Sequence, residues 1–292
     1  YYPGVSYDEI FRVFQYAAEH MAPIYTHVRS MGIVAMQEVI ANAAATGAPL
    51  HIVHMNSSSL GDYQTNLDLI LGAQERGLDV TAEAYPYTAA STTIESALFD
   101  EGWQEKLDIT YGDLQLQDTG ERLTEETFNH YREEGAVIII HMMKPEWIKA
   151  QLADPRVMVA SDGMPYAPGA HPRSAGTFSR FIGRYVRDME LMPLMTAISK
   201  VSLQPALRLE EISPQMKRKG RLQIGSDADI AVFDYDSIID TADFENDLSY
   251  SEGMKFVLVN GEFVVWEGEI VDGARPGRAV LGRGAVFRDV AH

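Results

Sequence analysis

The sequence contains no cysteine, and its basic residues are few. The missing thiols exclude a disulfide framework and a thiolate metal site within this chain. Lysine and arginine number 24 against 42 aspartates and glutamates, which gives a net charge of −18. That charge argues against a nucleic-acid binder, which needs a basic face to neutralise phosphates. No apolar run reaches the ~18 residues that cross a bilayer. The hydrophobic fraction is 46%, which predicts a large buried core.

The start of the chain lacks an initiator methionine. It opens with Tyr1, and no charged-then-apolar leader follows. We expect either that a leader has been removed or that the chain is the C-terminal part of a longer protein. The sequence leaves both a cytoplasmic and a periplasmic location open.

Apolar strands alternate with helices over the first 90 residues. The spacing of apolar residues predicts helices at 6–20, 31–46 and 65–76 and strands at 22–26, 50–53 and 78–85. Ser6 and Glu9 form a capping box at the first helix start, and Gly47 ends the second helix. The strands are apolar nearly throughout, as in parallel sheets that helices cover. The pattern therefore predicts an α/β fold with a parallel sheet.

The segment 95–134 interrupts this alternation. It holds twelve acidic and three basic residues, which is half of the net charge of the chain. Two interpretations are open: a solvated surface insertion or a lid over an active site. After it, we expect the barrel pattern to resume, with strands at 136–140 and 157–160 and helices at 145–153, 177–188 and 193–209.

The pattern changes again after residue 215. Two apolar runs within 256–266 flank Asn260-Gly261, a strong signal for a β-hairpin. This tail is typical of a small β module. We predict two domains, 1–212 and 213–292.

Three polar residues follow apolar strands. His27 and His54 end strands one βα unit apart, and Asp162 ends a later strand. In a parallel barrel these ends open on one face, where reactive residues gather. Two imidazoles and a carboxylate suit a zinc ion that activates water, with the carboxylate as proton acceptor. The alternative is polar strand ends without a chemical role. His51 begins a strand, and we expect it to be structural; His141 could face the same rim, but an extra histidine at a strand end is more often structural.

Several short motifs occur in a fixed order, and together they are specific. They are Tyr25-Thr26-His27-Val28-Arg29, His51-Ile52-Val53-His54, Glu83-Ala84-Tyr85-Pro86-Tyr87-Thr88-Ala89, Ser161-Asp162-Gly163, His171-Pro172-Arg173 and Gly176-Thr177-Phe178. With the tail Gly220, Gly225 and Ala228-Asp229, they resemble the D-aminoacylase (N-acyl-D-amino-acid deacylase) family of the amidohydrolase superfamily. We therefore expect a partial (β/α)8 barrel, of the TIM type, with a small C-terminal β-sandwich portion.

The resemblance implies roles for six residues. His27 and His54 match histidines that bind zinc, one ion being expected in the full-length enzyme, and Asp162 matches the general base and acid. Tyr85, Ser91 and Arg173 match positions that hold the α-carboxylate of the substrate. A guanidinium suits a carboxylate well. For Tyr85 the alternative is aromatic core packing, and for Arg173 it is a surface ion pair.

The sequence departs from the family pattern at two points. It contains no His-x-His pair and no cysteine, and both ligand positions of the family would lie upstream of Tyr1. We expect this chain alone to hold zinc weakly and to be inactive. The family often has a lysine two residues after the second metal histidine, where this chain has Asn56. We expect this change to shift substrate preference or to leave Arg173 to bind the anion.

The implied activity is zinc-dependent hydrolysis of N-acyl-D-amino acids to a carboxylate and a D-amino acid. The expected partner is this small molecule, with no nucleic acid and no membrane. One alternative is a cyclic amide hydrolase of the dihydroorotase or hydantoinase kind. Another is a non-catalytic protein, either a decayed enzyme or a binding barrel.

Overall fold

The computed structural model describes residues 4–165, 167–246 and 249–282. Tyr1 and the last ten residues of the predicted second domain lie outside them. The strands are β1 Ile24–Thr26, β2 Leu50–Ile52, β3 Val80–Ala84, β4 Ala90–Thr93, β5 Leu114–Leu116, β6 Val137–Ile140, β7 Val157–Val159, β8 Ile230–Phe233, β9 Met254–Val259, β10 Glu262–Trp266 and β11 Glu269–Ile270. The α-helices are α1 Tyr7–Glu19, α2 Ile33–Thr46, α3 Met55–Ser59, α4 Tyr63–Glu75, α5 Trp103–Leu107, α6 Glu125–Glu134, α7 Pro145–Ala153, α8 Arg173–Arg180, α9 Leu194–Val201 and α10 Leu203–Leu209.

A four-stranded parallel sheet carries the predicted strand ends. Its order is β1-β2-β3-β7, and each neighbouring pair is parallel. Along β3, Val80, Ala82 and Ala84 are buried, whereas the alternating Thr81 and Glu83 face the other side. This sheet with its helices is an arc of a barrel, so the predicted partial (β/α)8 architecture is confirmed.

The ends of the helices follow the sequence signals. The Ser6 hydroxyl accepts the Glu9 backbone N–H, and the Glu9 carboxylate accepts the Ser6 backbone N–H at the start of α1. Gly47 ends α2 in a left-handed conformation. The predicted helix 193–209 is broken at Ser202 into α9 and α10. The predicted helix 177–188 begins earlier, at Arg173, and continues as π-helical turns over Phe181–Asp188.

The prediction that 136–140 resumes the barrel is wrong. β6 pairs antiparallel with β4 and with β5 in a separate three-stranded sheet. Ile138, Ile139 and Ile140 are all buried, so their apolar run fits either sheet equally well and does not identify the partner strands. β7 therefore pairs directly with β3.

The acidic segment 95–134 contributes aromatic side chains to the main hydrophobic core. Its aromatic rings pack edge to face or stacked, with centroids 5.2–6.0 Å apart, and they belong to Phe99, Trp103, Tyr111 and Phe128. The Arg132 guanidinium donates to the Ile94 and Ser96 carbonyl oxygens. The segment is thus a packed unit and not only a solvated loop.

A second antiparallel sheet, β11-β10-β9-β8, forms the C-terminal module. Asn260 and Gly261 join β9 to β10, both with positive φ, as a type I′ hairpin turn requires. The predicted β-sandwich portion corresponds to this sheet, while the boundary at residue 212 stays a prediction. Across the described ranges, no helix combines the length and apolarity that a membrane crossing needs.

Candidate active site

His27 and His54 converge at the carboxyl ends of β1 and β2. His27 Nδ1 lies 2.8 Å from His54 Nε2. The other nitrogen of His54, Nδ1, faces the hydroxyls of Ser57 and Ser58 at 3.2 and 3.3 Å. Burial lowers the pKa of each imidazole to about 4, and for His27 the neighbouring His54 acts in the same direction. Both rings are therefore neutral at pH 7, which is the form that binds a metal ion.

Asp162 lies after β7, close to the two histidines. Burial raises its pKa, while Arg173 opposes this increase. Arg173 Nη1 is 3.0 Å from Asp162 Oδ2. Asp162 and His54 both have positive φ, 48° and 33°. Such strained backbone in non-glycine residues is concentrated at functional sites.

Arg173 and Tyr85 are buried near Asp162, and the half-buried Ser91 lines the same cleft as Arg173 and Asp162. The Arg173 side chain is only 3% exposed and its guanidinium lies 4.8 Å from the centre of the Tyr85 ring. Arg173 is thus not in a surface ion pair. Burial raises the pKa of Tyr85 to about 12, so its hydroxyl keeps its proton.

Several polar atoms of these three residues lack hydrogen-bond partners. Within the described residues, the Tyr85 hydroxyl, the Ser91 hydroxyl and Arg173 Nε form no hydrogen bond of normal geometry, whereas Arg173 Nη1 is paired with the Asp162 carboxylate. Each buried donor left unsatisfied costs about 1–3 kcal/mol. Tyr85 therefore belongs to the core and also points a polar group toward Arg173. An anionic ligand would satisfy these donors together.

A cleft of about 710 Å³ contains most of the predicted site residues. Its lining includes His27, His54, Asp162, Ser91 and Arg173. Tyr85 lies beneath this lining, against Arg173. The acidic segment contributes Leu98, Asp100 and Lys106 to the same cleft, together with apolar residues of α1 such as Phe14. The first part of the segment 95–134 therefore lines the cleft, and its role as a lid stays a prediction.

Asn56 has a role that the sequence did not indicate. Its side-chain amide donates to the Tyr85 carbonyl and accepts the Tyr85 backbone N–H, both at 3.3 Å. It is fully buried. Asn56 therefore holds the backbone of Tyr85, while Arg173 is one of the cations that line the cleft.

Two other histidines lie apart from the cleft. His51 contacts Thr81 and Glu83 across the parallel sheet, at 2.7 and 3.0 Å. His141 Nε2 lies 2.9 Å from Gln115 Oε1. Neither belongs to the cleft lining. Their positions agree with the structural interpretation.

The metal centre is incomplete in the part of the chain that the structure describes. That part contains no group of three or more histidine, cysteine, aspartate or glutamate side chains arranged to hold a metal ion. His27 and His54 nevertheless bring two neutral imidazole nitrogens to one point. They fit two positions of a zinc site, which takes three or four protein ligands.

Residues 21–265 match the model of the amidohydrolase family. The chain belongs to this family. The chain is 32% identical over 298 residues to a D-aminoacylase of Alcaligenes xylosoxydans xylosoxydans, a match that covers 95% of this chain and 58% of the relative. The chain thus spans about half to three fifths of the length of the curated relatives it matches.

Solved structures agree with this assignment. The chain superposes on N-acyl-D-glutamate deacylase from Bordetella bronchiseptica, a structure complexed with zinc and a phosphonate mimic of the tetrahedral intermediate. The TM-score is 0.77 at 28% identity, and the match covers 92% of this chain and 59% of that one. A D-aminoacylase with a binuclear metal centre gives a TM-score of 0.80 at 29% identity. This match covers 94% of this chain and 59% of the D-aminoacylase. The resemblance to the D-aminoacylases is confirmed. A D-hydantoinase, at 15% identity and a TM-score of 0.57, shares the fold alone.

Proposed function

We propose that the intact protein hydrolyses the amide bond of N-acyl-D-amino acids, with one zinc ion held in part by His27 and His54. The observation that carries this proposal is the set of unsatisfied buried donors on Arg173, Ser91 and Tyr85 beside Asp162. Those donors suit the α-carboxylate of an acylated amino acid. The relatives that cleave such substrates support the same reaction class.

Different residues bind the substrate, transfer the proton and hold the metal ion. Arg173 binds the carboxylate of the substrate, and the hydroxyls of Ser91 and Tyr85 donate to it. Asp162 accepts a proton from the attacking water and passes it to the leaving amine. A zinc ion at His27 and His54 would supply polarisation of the amide carbonyl and a more acidic water. Ser57 and Ser58 orient His54 through its Nδ1.

Zinc analysis and turnover assays on the intact protein test the proposal. We expect bound zinc, hydrolysis of an N-acetyl-D-amino acid, and slower hydrolysis of its L enantiomer. Asp162→Asn should lower kcat at least about 100-fold, because proton transfer loses its acceptor. Asp68→Asn removes an exposed carboxylate on α4 and serves as the matched control, with kcat unchanged.

Three results would contradict parts of this proposal. Full turnover by the Asp162→Asn variant would remove the role of that carboxylate. Hydrolysis of hydantoins or dihydroorotate in place of acyl amino acids would favour a cyclic amide hydrolase. A protein without zinc and without turnover would favour the non-catalytic alternative.

A further inference from the structure

His171 links the two chain segments that carry Ser91 and Arg173. Its Nε2 lies 2.9 Å from the Ala89 carbonyl oxygen, two residues before Ser91. Its Nδ1 accepts the backbone N–H of Arg173 at 3.1 Å. Arg173 is the first residue of α8, where backbone N–H groups have no partner within the helix. One imidazole ring therefore connects the start of α8 to the segment entering β4.

The surroundings of His171 hold its ring in one orientation. The ring is 1% exposed. It contacts Tyr87 and Phe244 edge to face, at centroid distances of 5.5 and 5.0 Å, and Tyr85 at 6.3 Å. Burial and the nearby Arg173 lower the pKa of His171 well below its usual value. A neutral ring that donates from Nε2 and accepts at Nδ1 satisfies both neighbours.

We propose that His171 is a positioning residue for the substrate carboxylate: it sets the separation between the Ser91 hydroxyl and the Arg173 guanidinium. This inference rests on the proposed function, in which those two groups bind that carboxylate. His171 lies outside the cleft lining, so it acts through its neighbours. A purely apolar ring at this position would leave the Ala89 carbonyl and the Arg173 N–H unsatisfied.

The test compares an acid substrate with a matched neutral one in the intact protein. The acid is an N-acyl-D-amino acid, and the neutral compound is its primary carboxamide. His171→Phe keeps an aromatic ring and removes both hydrogen bonds. We expect KM for the acid to increase on the order of 10- to 100-fold because the binding groups are misplaced. The kcat/KM for the carboxamide should stay within about twofold of the wild type, since no carboxylate is bound.

Three further variants separate positioning from a general structural role. His171→Asn keeps an acceptor for the Arg173 N–H and should show a smaller increase in KM for the acid. In an Arg173→Met background, His171→Phe should add no further loss for the acid, because the two changes act on one interaction. His141→Phe is the matched control, since this half-buried ring also contacts Phe244, at 4.9 Å, but hydrogen-bonds to Gln115. It should leave the preference for acid over carboxamide unchanged.

These measurements distinguish a positioning role of His171 from a general packing role and from failure of the proposed function. Equal losses for the acid and the carboxamide, or additive losses with Arg173→Met, would overturn the positioning role and indicate a general packing role. A folded His171→Phe variant with an unchanged KM would overturn it as well. A wild-type protein that cleaves neither compound would overturn the proposed function and this inference together.

Discussion

Arg173 Nη1 lies 3.0 Å from Asp162 Oδ2, and the same guanidinium lies over the Tyr85 ring. The Arg173 side chain is almost fully buried, whereas that of Asp162 is one-third exposed. One cation thus faces the predicted proton acceptor on one side and the predicted carboxylate-binding group on the other. We therefore expect this contact to couple the binding of a substrate carboxylate to the protonation of Asp162.

Replacing Arg173 with methionine should shift the pH dependence of turnover. Burial raises the pKa of Asp162, and Arg173 lowers it. Loss of Arg173 therefore moves this pKa further up. Because Asp162 must be ionised to accept a proton, the acid limb of the kcat profile should move to higher pH. The measurement uses the neutral carboxamide substrate, and the exposed Arg156→Met is the control. A shift to lower pH, or none, would contradict the coupling.

His54 and His51 should differ in their effect on bound zinc. His54 meets His27 at 2.8 Å, whereas His51 is hydrogen-bonded to Thr81 and Glu83. We expect His54→Asn to lower the zinc content of the intact protein and His51→Asn to leave it near the wild-type value. The readout is metal per chain by mass spectrometry, after thermal unfolding has identified folded variants. Equal zinc loss in both would argue against the assignment.

Asp240 should contribute strongly to stability. Its side chain is fully buried and pairs with Arg180 at 2.9 Å and Arg184 at 2.7 Å. Asp240→Asn removes the charge opposite both guanidinium groups, and we expect the free energy of unfolding to fall by about 2–3 kcal/mol. Asp188→Asn breaks an ion pair whose carboxylate is half exposed and should change it by less than about 1 kcal/mol. Urea unfolding of the intact protein measures both, and similar values for the two variants would refute the expectation.

Gly176 should not tolerate a methyl group. A Cβ there would lie 2.5 Å from the Tyr87 hydroxyl oxygen and 2.7 Å from Asp240 Cβ. Gly176→Ala should lower the free energy of unfolding by about 1–3 kcal/mol, because the buried neighbours must move. Gly72→Ala is also helical, but its new Cβ would meet only the end of the flexible Arg76 side chain. It should be neutral or slightly stabilising. Denaturant midpoints would show whether the two glycines differ.

Local sequence patterns were sufficient for part of the fold. The apolar runs at β2 and β7 are fully buried and β3 is buried at alternate positions, so their hydrophobicity identifies them as strands without knowledge of their partners, whereas β1 is only partly buried. The Asn260-Gly261 turn is local chemistry, because both residues accept positive φ. Strand β6 is different: three buried isoleucines indicate a strand but not its neighbours.

The candidate site also combines residues that local sequence patterns predict with contacts that those patterns do not predict. The sequence by itself determined that His27, His54 and Asp162 follow apolar strands, and parallel strands bring such positions to one edge. Only the tertiary structure decided what the other side chains contact: Asn56 with the Tyr85 backbone, and His171 with Ala89 and Arg173. The Asn56–Tyr85 and His171–Ala89 contacts join residues 29 and 82 positions apart in the chain. Long-range hydrogen bonds of this kind depend on how the elements pack, and a local pattern of residues does not encode that packing.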